Sequence, residues 1–405
     1  MNRILFLLAV GCSALVSFAC THESKTDTDA ITRRSFEAWM AAHAPQAEPL
    51  GDTGLYYEVL AQSEEGSSGK VDVRGKWIDV SYRMSTLEGD IFYNRDEATA
   101  RLIGNYDDYT HYVPERFYIA SSWNKSSLPK GLYTAFTEIV PGQTWRVYVP
   151  ADMAFSSSGF DMTSYGYGGQ NALGADKAII IDELRITDII ENPQQQGDDQ
   201  IRTLATTPRP EGWGKYPNDT VRQGLYMDVL YRTMAQDTIP VGSQVEIYYK
   251  VSFLDGQLID SNIDSVLTNR FGTVRSSDIT SAITVTRMAE GSTATNGYQM
   301  PAKVFYAILP DVCYGDSLRI AVPAKYGYFT EYMPPNKSKS QWTASTTFNN
   351  YKGYDYGDYT IDDTDYYFGA STFYMPMASS SVVSIAEIKP YTPLIYELVV
   401  RKPEN

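Results

Sequence analysis

The chain repeats itself, and that restricts it to folds in which one unit occurs twice. Gly54-Leu-Tyr-Tyr-Glu-Val-Leu60 returns as Gly224-Leu-Tyr-Met-Asp-Val-Leu230, each a strand with alternating bulky residues behind a Gly. Trp77-Ile-Asp-Val-Ser-Tyr82 has its counterpart in Gln244-Val-Glu-Ile-Tyr-Tyr249. An acidic-Gly turn follows each (Glu88-Gly89, Asp255-Gly256), and then an apolar residue, Phe92 or Ile259. Leu132 to Ile139 and Phe305 to Val312 carry apolar residues at i, i+4 and i+7, the stripe of a short helix. Gly142 and Gly315 are expected to stop those helices. A strand ending in Val-Pro comes next in each copy (Val147 to Pro150, Ile320 to Pro323), and Ile179 to Ile186 and Leu394 to Val400 close the two copies. The order is strand, strand, helix, strand, strand, twice, which predicts two α+β domains of one kind.

Flanking segments read differently. Met1-Asn-Arg3 followed by apolar Ile4 to Ala19 reads as a secretory signal, because the run is short and a polar stretch follows. Ser17-Phe-Ala-Cys20 has the small residue before Cys that bacterial lipoproteins acylate. Residues 1–19 are therefore expected to be a signal peptide, with lipidation at Cys20 anchoring the chain to the bacterial cell envelope, at the outer membrane. Residues 20–49 read as a polar tether and one short helix from Ser35, its N-cap. Residues 50–190 form the first copy and 222–405 the second. Residues 191–221, rich in Pro, Gly, Gln and Asp, read as a linker. The second copy is longer by an insert at about 329–384 crowded with Tyr, Asp, Ser and Gly.

Composition narrows the function. In 405 residues, Lys+Arg 34 against Asp+Glu 49 gives a net charge of −15, which repels phosphate backbones and argues against nucleic acid as partner. Three His and three Cys are too few for a multi-zinc or disulfide framework. His22, His43 and His111 pair with no credible Ser or Cys nucleophile, and Asp362-Asp-Thr-Asp365 lacks the Gly and distal Glu of a calcium loop. Cys313, in an apolar stretch, reads as a buried thiol.

The ordered motifs resemble an FKBP-type peptidyl-prolyl isomerase domain. The resemblance rests on Gly-Leu-x-Tyr-acidic-Val-Leu, the strand ending in Tyr, the acidic-Gly turn, the short helix, the Val-Pro strand and the closing Ile388-Lys-Pro-Tyr-Thr-Pro-Leu-Ile-Tyr396. It spans about 50–190 and 222–402. It implies a twisted antiparallel sheet wrapped around one short helix, with an apolar pocket between them. By the same resemblance, Tyr249, Asp260, Phe305 and Tyr328 are the catalytic set of the second copy, with Ile259, Ile388 and Tyr396 as substrate-binding walls. Phe305 stands where the family has a floor Trp, Ile259 where it usually has Phe, and Pro301-Ala302 where it has Val-Ile. The first copy keeps Tyr82 and Phe92 but has Tyr93 for the Asp, Leu132 for the Trp, Phe155 for the second Tyr and Asp182 near the terminal aromatic, so it reads as a binding or structural module.

Those residue types suit the reaction the resemblance implies. Rotation about X–Pro makes and breaks no bond, so it needs no cofactor, metal or nucleophile. An apolar cleft favours the twisted amide, in which resonance is lost, while a Tyr hydroxyl holds the carbonyl. Lowering the barrier by about 4 kcal/mol gives roughly 10³-fold. The expected partners are proline-containing or unfolded exported polypeptides, with the membrane reached through the N-terminal lipid. Two other readings stay open: a non-catalytic peptide-binding lipoprotein, and a glycan binder using the Tyr-rich insert.

Overall fold

A computed structural model describes residues 25–62, 69–104, 106, 111–126, 128–155, 177–206, 225–232, 237–271, 282–289, 302–323 and 391–404. The expected signal 1–19, Cys20, Tyr328, the insert 329–384 and Ile388 lie outside the described residues, as does 207–221 of the expected linker.

The first domain is built from β1 (Glu48–Pro49), β2 (Tyr56–Ala61), β3 (Lys76–Thr86), β4 (Ile91–Asn94), β5 (Glu115–Ile119), β6 (Thr144–Val149) and β7 (Ile179–Ile190). Helix α1 (Lys25–His43) precedes it, and α2 (Glu97–Ile103) and α3 (Lys130–Glu138) lie within it. After α4 (Pro193–Thr206), the second domain contains β8 (Tyr226–Tyr231), β9 (Gln244–Ser252), β10 (Leu258–Ser261), α5 (Asp264–Phe271), β11 (Ile283–Thr286), α6 (Ala302–Ile308), β12 (Ser317–Val322) and β13 (Leu394–Arg401).

Each domain has its own antiparallel sheet, and the two sheets share one strand order. The first runs β1-β2-β6-β7-β3-β4 with β5 also on β3; the second runs β8-β12-β13-β9-β10 with β11 also on β9. Strict alternation explains why these segments are strands: in β9, Val245, Ile247, Tyr249 and Val251 are buried while Glu246, Tyr248 and Lys250 between them are not. The inward side chains pack on the short helix above the sheet, giving two separate cores, one around Leu132 and Phe136 of α3 and one around Phe305 and Ile308 of α6. This is the α+β class with two domains of one kind.

Four sequence expectations change. Between the second strand and the helix each domain has two further strands, β4 and β5 or β10 and β11, both paired with the long strand. Each is four or five residues long and flanks a short helix, so a period-2 signal hardly develops. Helix α1 begins at Lys25, ten residues ahead of the expected N-cap Ser35, whose hydroxyl instead donates to the Ile31 carbonyl at 3.0 Å inside the helix. Its buried Phe36 and Met40 pack beside Tyr148 of β6, and Arg33 donates to the Gly54 carbonyl and pairs with Asp152 at 2.6 Å. The stretch read as an irregular linker includes α4, whose buried residues Pro193, Gly197 and Ile201 repeat every four positions under a polar sequence. Finally, Gly142 and Gly315 do not end the helices. Helix α3 stops at Ile139, which is already extended, and Gly142 (φ 86°) shapes the turn into β6 as Gly315 (φ 88°) shapes the one into β12.

Candidate functional site

In the second domain, β9, β13 and α6 bring three aromatic rings together. Tyr249 lies opposite Leu398 across the β9–β13 ladder, and Tyr396 lies opposite Val251, so the two tyrosines are diagonal neighbours on one face of the sheet. Their ring centroids are 6.2 Å apart. Phe305 descends from α6 onto both, 5.9 Å from Tyr249 and 6.0 Å from Tyr396, the latter contact edge-to-face at 89°. Ile259 of β10 belongs to the same cluster. Relative exposures are 2, 1, 0 and 0% for Tyr249, Ile259, Phe305 and Tyr396, so these side chains fill the space between sheet and helix. Four of the seven expected pocket residues are thus brought together, as a packed cluster.

The backbone of Tyr249 is held by two side chains at the end of β10. The Ser261 hydroxyl donates to its carbonyl at 2.7 Å. Asn262 accepts from its amide at 2.6 Å and donates to the Ile247 carbonyl at 3.0 Å. Both polar residues are buried, so each bond replaces water that the backbone has lost. Asp260 pairs in register with Val251 beside a bulge in β10; only its backbone is among the described atoms. Tyr328 and Ile388 fall outside the described residues.

The first domain shows what becomes of the same place when the residues differ. Tyr82 stacks on Tyr93 (5.2 Å, 22°), and both hydroxyls donate to buried Glu115, that of Tyr82 at 2.8 Å. Phe117 and Phe136 pack against Tyr82, and Phe92 meets Phe155 edge-on. Tyr93 pairs with Met84 in the register in which Asp260 pairs with Val251, so in the first domain a buried ring takes this position. Glu115 faces Val80 across the ladder as Ile283 faces Ile247, so the carboxylate that takes both phenols is replaced by an apolar residue in the second domain. Glu115 was not singled out from the sequence. Its only signal is the inward beat of Glu115, Phe117 and Ile119 in β5.

The place of the terminal aromatic, near which the sequence sets Asp182, falls on its neighbour Ile181. Ile181 lies opposite Met84 and Val147, as Tyr396 lies opposite Val251 and Ile320, so Ile181 holds that place. Asp182 falls one residue on, where alternation turns it to the other face. There Arg83 and Arg146 donate to it at 2.7 and 2.9 Å. Burial pushes its carboxyl up, but the hydrogen bonds and charges of the two guanidiniums together hold it below the ordinary value. Glu397 takes the corresponding position, with Lys250 and Arg319 at 3.3 and 3.2 Å.

A cavity of about 740 Å³ lies elsewhere. It runs between the end of β7 and α4, lined by Asp188, Glu191, Gln195, Asp199 and Gln200 and bordered by Leu254 of the second domain.

No family model matches the sequence, and a sequence search of curated proteins returns no relative. Among solved structures the chain is similar to the three FKBP domains of wheat FKBP73, at 10% identity over 88% of this chain and 98% of that one, with a TM-score of 0.25. It is also similar to a peptidyl-prolyl cis-trans isomerase from Pseudomonas syringae (16% identity, 40% of this chain, 94% of that one, TM-score 0.27) and to FkpA from Escherichia coli (16%, 46% and 68%, TM-score 0.27). The fold rests on the strand order and the repeated register. Among the described residues, no helix is long and apolar enough to cross a membrane.

Proposed function

We propose that the chain is a peptidyl-prolyl cis-trans isomerase of the FKBP type, with its activity in the second domain, acting on exported, proline-containing polypeptides. The observation that supports it is the Tyr249–Phe305–Tyr396 triangle between sheet and helix, at the place where the sequence motifs resemble the family's proline pocket. Phe305 supplies an apolar floor for a pyrrolidine ring, with Ile259, Ile388 and Tyr396 as walls. Tyr328 supplies the hydroxyl for the amide carbonyl, and Asp260 a polar rim. Rotation then proceeds by desolvating the twisted amide, without any chemical reagent. The first domain, with Leu132 and Ile181 in place of two of the rings and two tyrosines against Glu115, serves as a structural partner. Cys20 is the acylation site that ties the chain to the bacterial envelope. Incorporated palmitate that disappears in Cys20→Ser tests that part.

A second reading is favoured by the burial of the same side chains. A cluster exposed by 2% or less is a core, and such a core supports a non-catalytic domain that grips polypeptides with another surface. Acceleration of cis-trans exchange in an Ala-Ala-Pro-Phe peptide by the full chain separates the two: the isomerase accelerates it, the binder does not.

A further inference from the structure

The first domain reaches into the turn between β9 and β10. That turn closes on Gly256 (φ 93°), whose amide donates to the Phe253 carbonyl at 3.0 Å, while the Phe253 amide donates to the Gln257 carbonyl at 3.0 Å. Asp255 has two tasks there. Its Oδ1 accepts the Gln257 amide at 3.0 Å, and its Oδ2 lies 2.8 Å from Nε2 of His111, a residue of the first domain just ahead of β5. The imidazole also stacks flat on Phe253, with centroids 3.9 Å apart and planes at 13°. His111 therefore holds a ring and a carboxylate of one turn at once. The hydrogen bond from His111 is the main reason the Asp255 carboxyl sits below its ordinary value.

The clamped turn feeds the candidate site directly. Two residues past Gln257 comes Ile259, then Asp260, and Ser261 and Asn262 are locked to the backbone of Tyr249. A second interdomain contact holds the other strand that serves the site. Tyr391, just before β13, packs edge-on against Trp77 of β3 at 5.5 Å, and its carbonyl lies only 3.2 Å from where a side chain on Gly197 of α4 would begin. The first domain thus grips the approaches to both β10 and β13.

We propose that His111 is a positioning residue: by clamping the Phe253–Gln257 turn it fixes the Ile259–Asp260 rim, so the site of the second domain is completed by the first. The positioning of the turn stands on the contacts above; its effect on turnover rests on the isomerase reading. The test uses the full chain with His111→Ala and with His111→Phe, which keeps the stack and drops the hydrogen bond. Hydrogen–deuterium exchange of peptides covering 253–261 should speed up about tenfold in His111→Ala and less in His111→Phe, with β12 and β3 unchanged. In the peptide assay, His111→Ala should raise KM more than it lowers kcat, with partial rescue by His111→Phe. Exchange at 253–261 that stays at the wild-type rate in His111→Ala overturns the proposal. If the wild-type chain leaves the peptide unaccelerated, the isomerase reading fails alone, and the exchange result still decides whether His111 holds the turn.

Discussion

Ile181 and Tyr396 occupy one position in two sheets, each facing the equivalent residues of its neighbouring strands, and only the second carries a ring. The same contrast separates Leu132 from Phe305 on the two helices. Both differences lie at the contact of sheet and helix, so the second domain has an aromatic floor where the first has an aliphatic one.

Replacing that floor piece by piece should therefore convert one domain towards the other. Phe305→Leu puts in the residue that the first domain already accommodates at this place. It should lower stability by about 1 kcal/mol while keeping cooperative unfolding, and reduce peptide turnover at least tenfold. Denaturant unfolding and the exchange assay on the same preparation check both parts.

Glu115 accepts two tyrosine hydroxyls in a buried site, so removing it leaves two donors behind. Glu115→Ala should destabilise the first domain by about 2–4 kcal/mol, while Glu115→Gln, which keeps an acceptor, should lose about half of that. The midpoint of urea unfolding, followed by near-ultraviolet circular dichroism, reads the difference.

Gly131 lies in the first turn of α3, against Val149 of β6. A methyl group there would meet Cγ1 of Val149 at 2.2 Å and the Met153 carbonyl at 2.9 Å, so the helix would have to lift off the sheet. Gly131→Ala should reduce stability by about 1–3 kcal/mol although alanine is the better helix former. A neutral or stabilising result would contradict the close approach.

Asp182 sets an acid limit. Its folded pKa lies below 3.8, beneath the unfolded value, because Arg83 and Arg146 outweigh the effect of burial. Its contribution is therefore complete above about pH 5, starts to fall near the unfolded value of about 3.9, and is lost as pH drops through the lowered folded value. Asp182→Asn should cost about 2 kcal/mol at pH 7, and its stability should fall less steeply than wild type between pH 4 and pH 2. Parallel slopes in the two proteins would contradict the pairing.

The repeat made the sheets legible, because the middles of β3 (Ile78 to Met84) and β9 (Val245 to Val251) recur with the same neighbours, with every second residue buried in β9 and in β3 from Val80 on. The site was legible as far as its residues lie on those strands and helices: Tyr249, Phe305 and Tyr396, set together by the family resemblance, meet as a packed cluster. The sequence set Asp182 near the terminal aromatic but did not single out its neighbour Ile181, because irregular pairing along β7 shifts which residue faces the helix, and irregularities of that kind leave no trace in a hydrophobic pattern. Glu115 was missed because a carboxylate in a strand normally marks the solvent face; here two phenols donate to it inside the core. Helix α4 was hidden by composition, since Pro193, Gly197 and Ile201 form a narrow buried stripe under Gln and Asp. The contacts of His111 with Phe253 and Asp255 join residues of different domains, and no local pattern encodes them.

The most direct measurement is the rate of cis-trans exchange of Ala-Ala-Pro-Phe, followed by NMR with and without the full chain at micromolar concentration. The uncatalysed step takes tens of seconds or more. Exchange faster by two orders of magnitude, lost in Phe305→Leu, is the expected result. An exchange rate unchanged by a large excess of folded protein would contradict it and leave the second domain a packed, non-catalytic module.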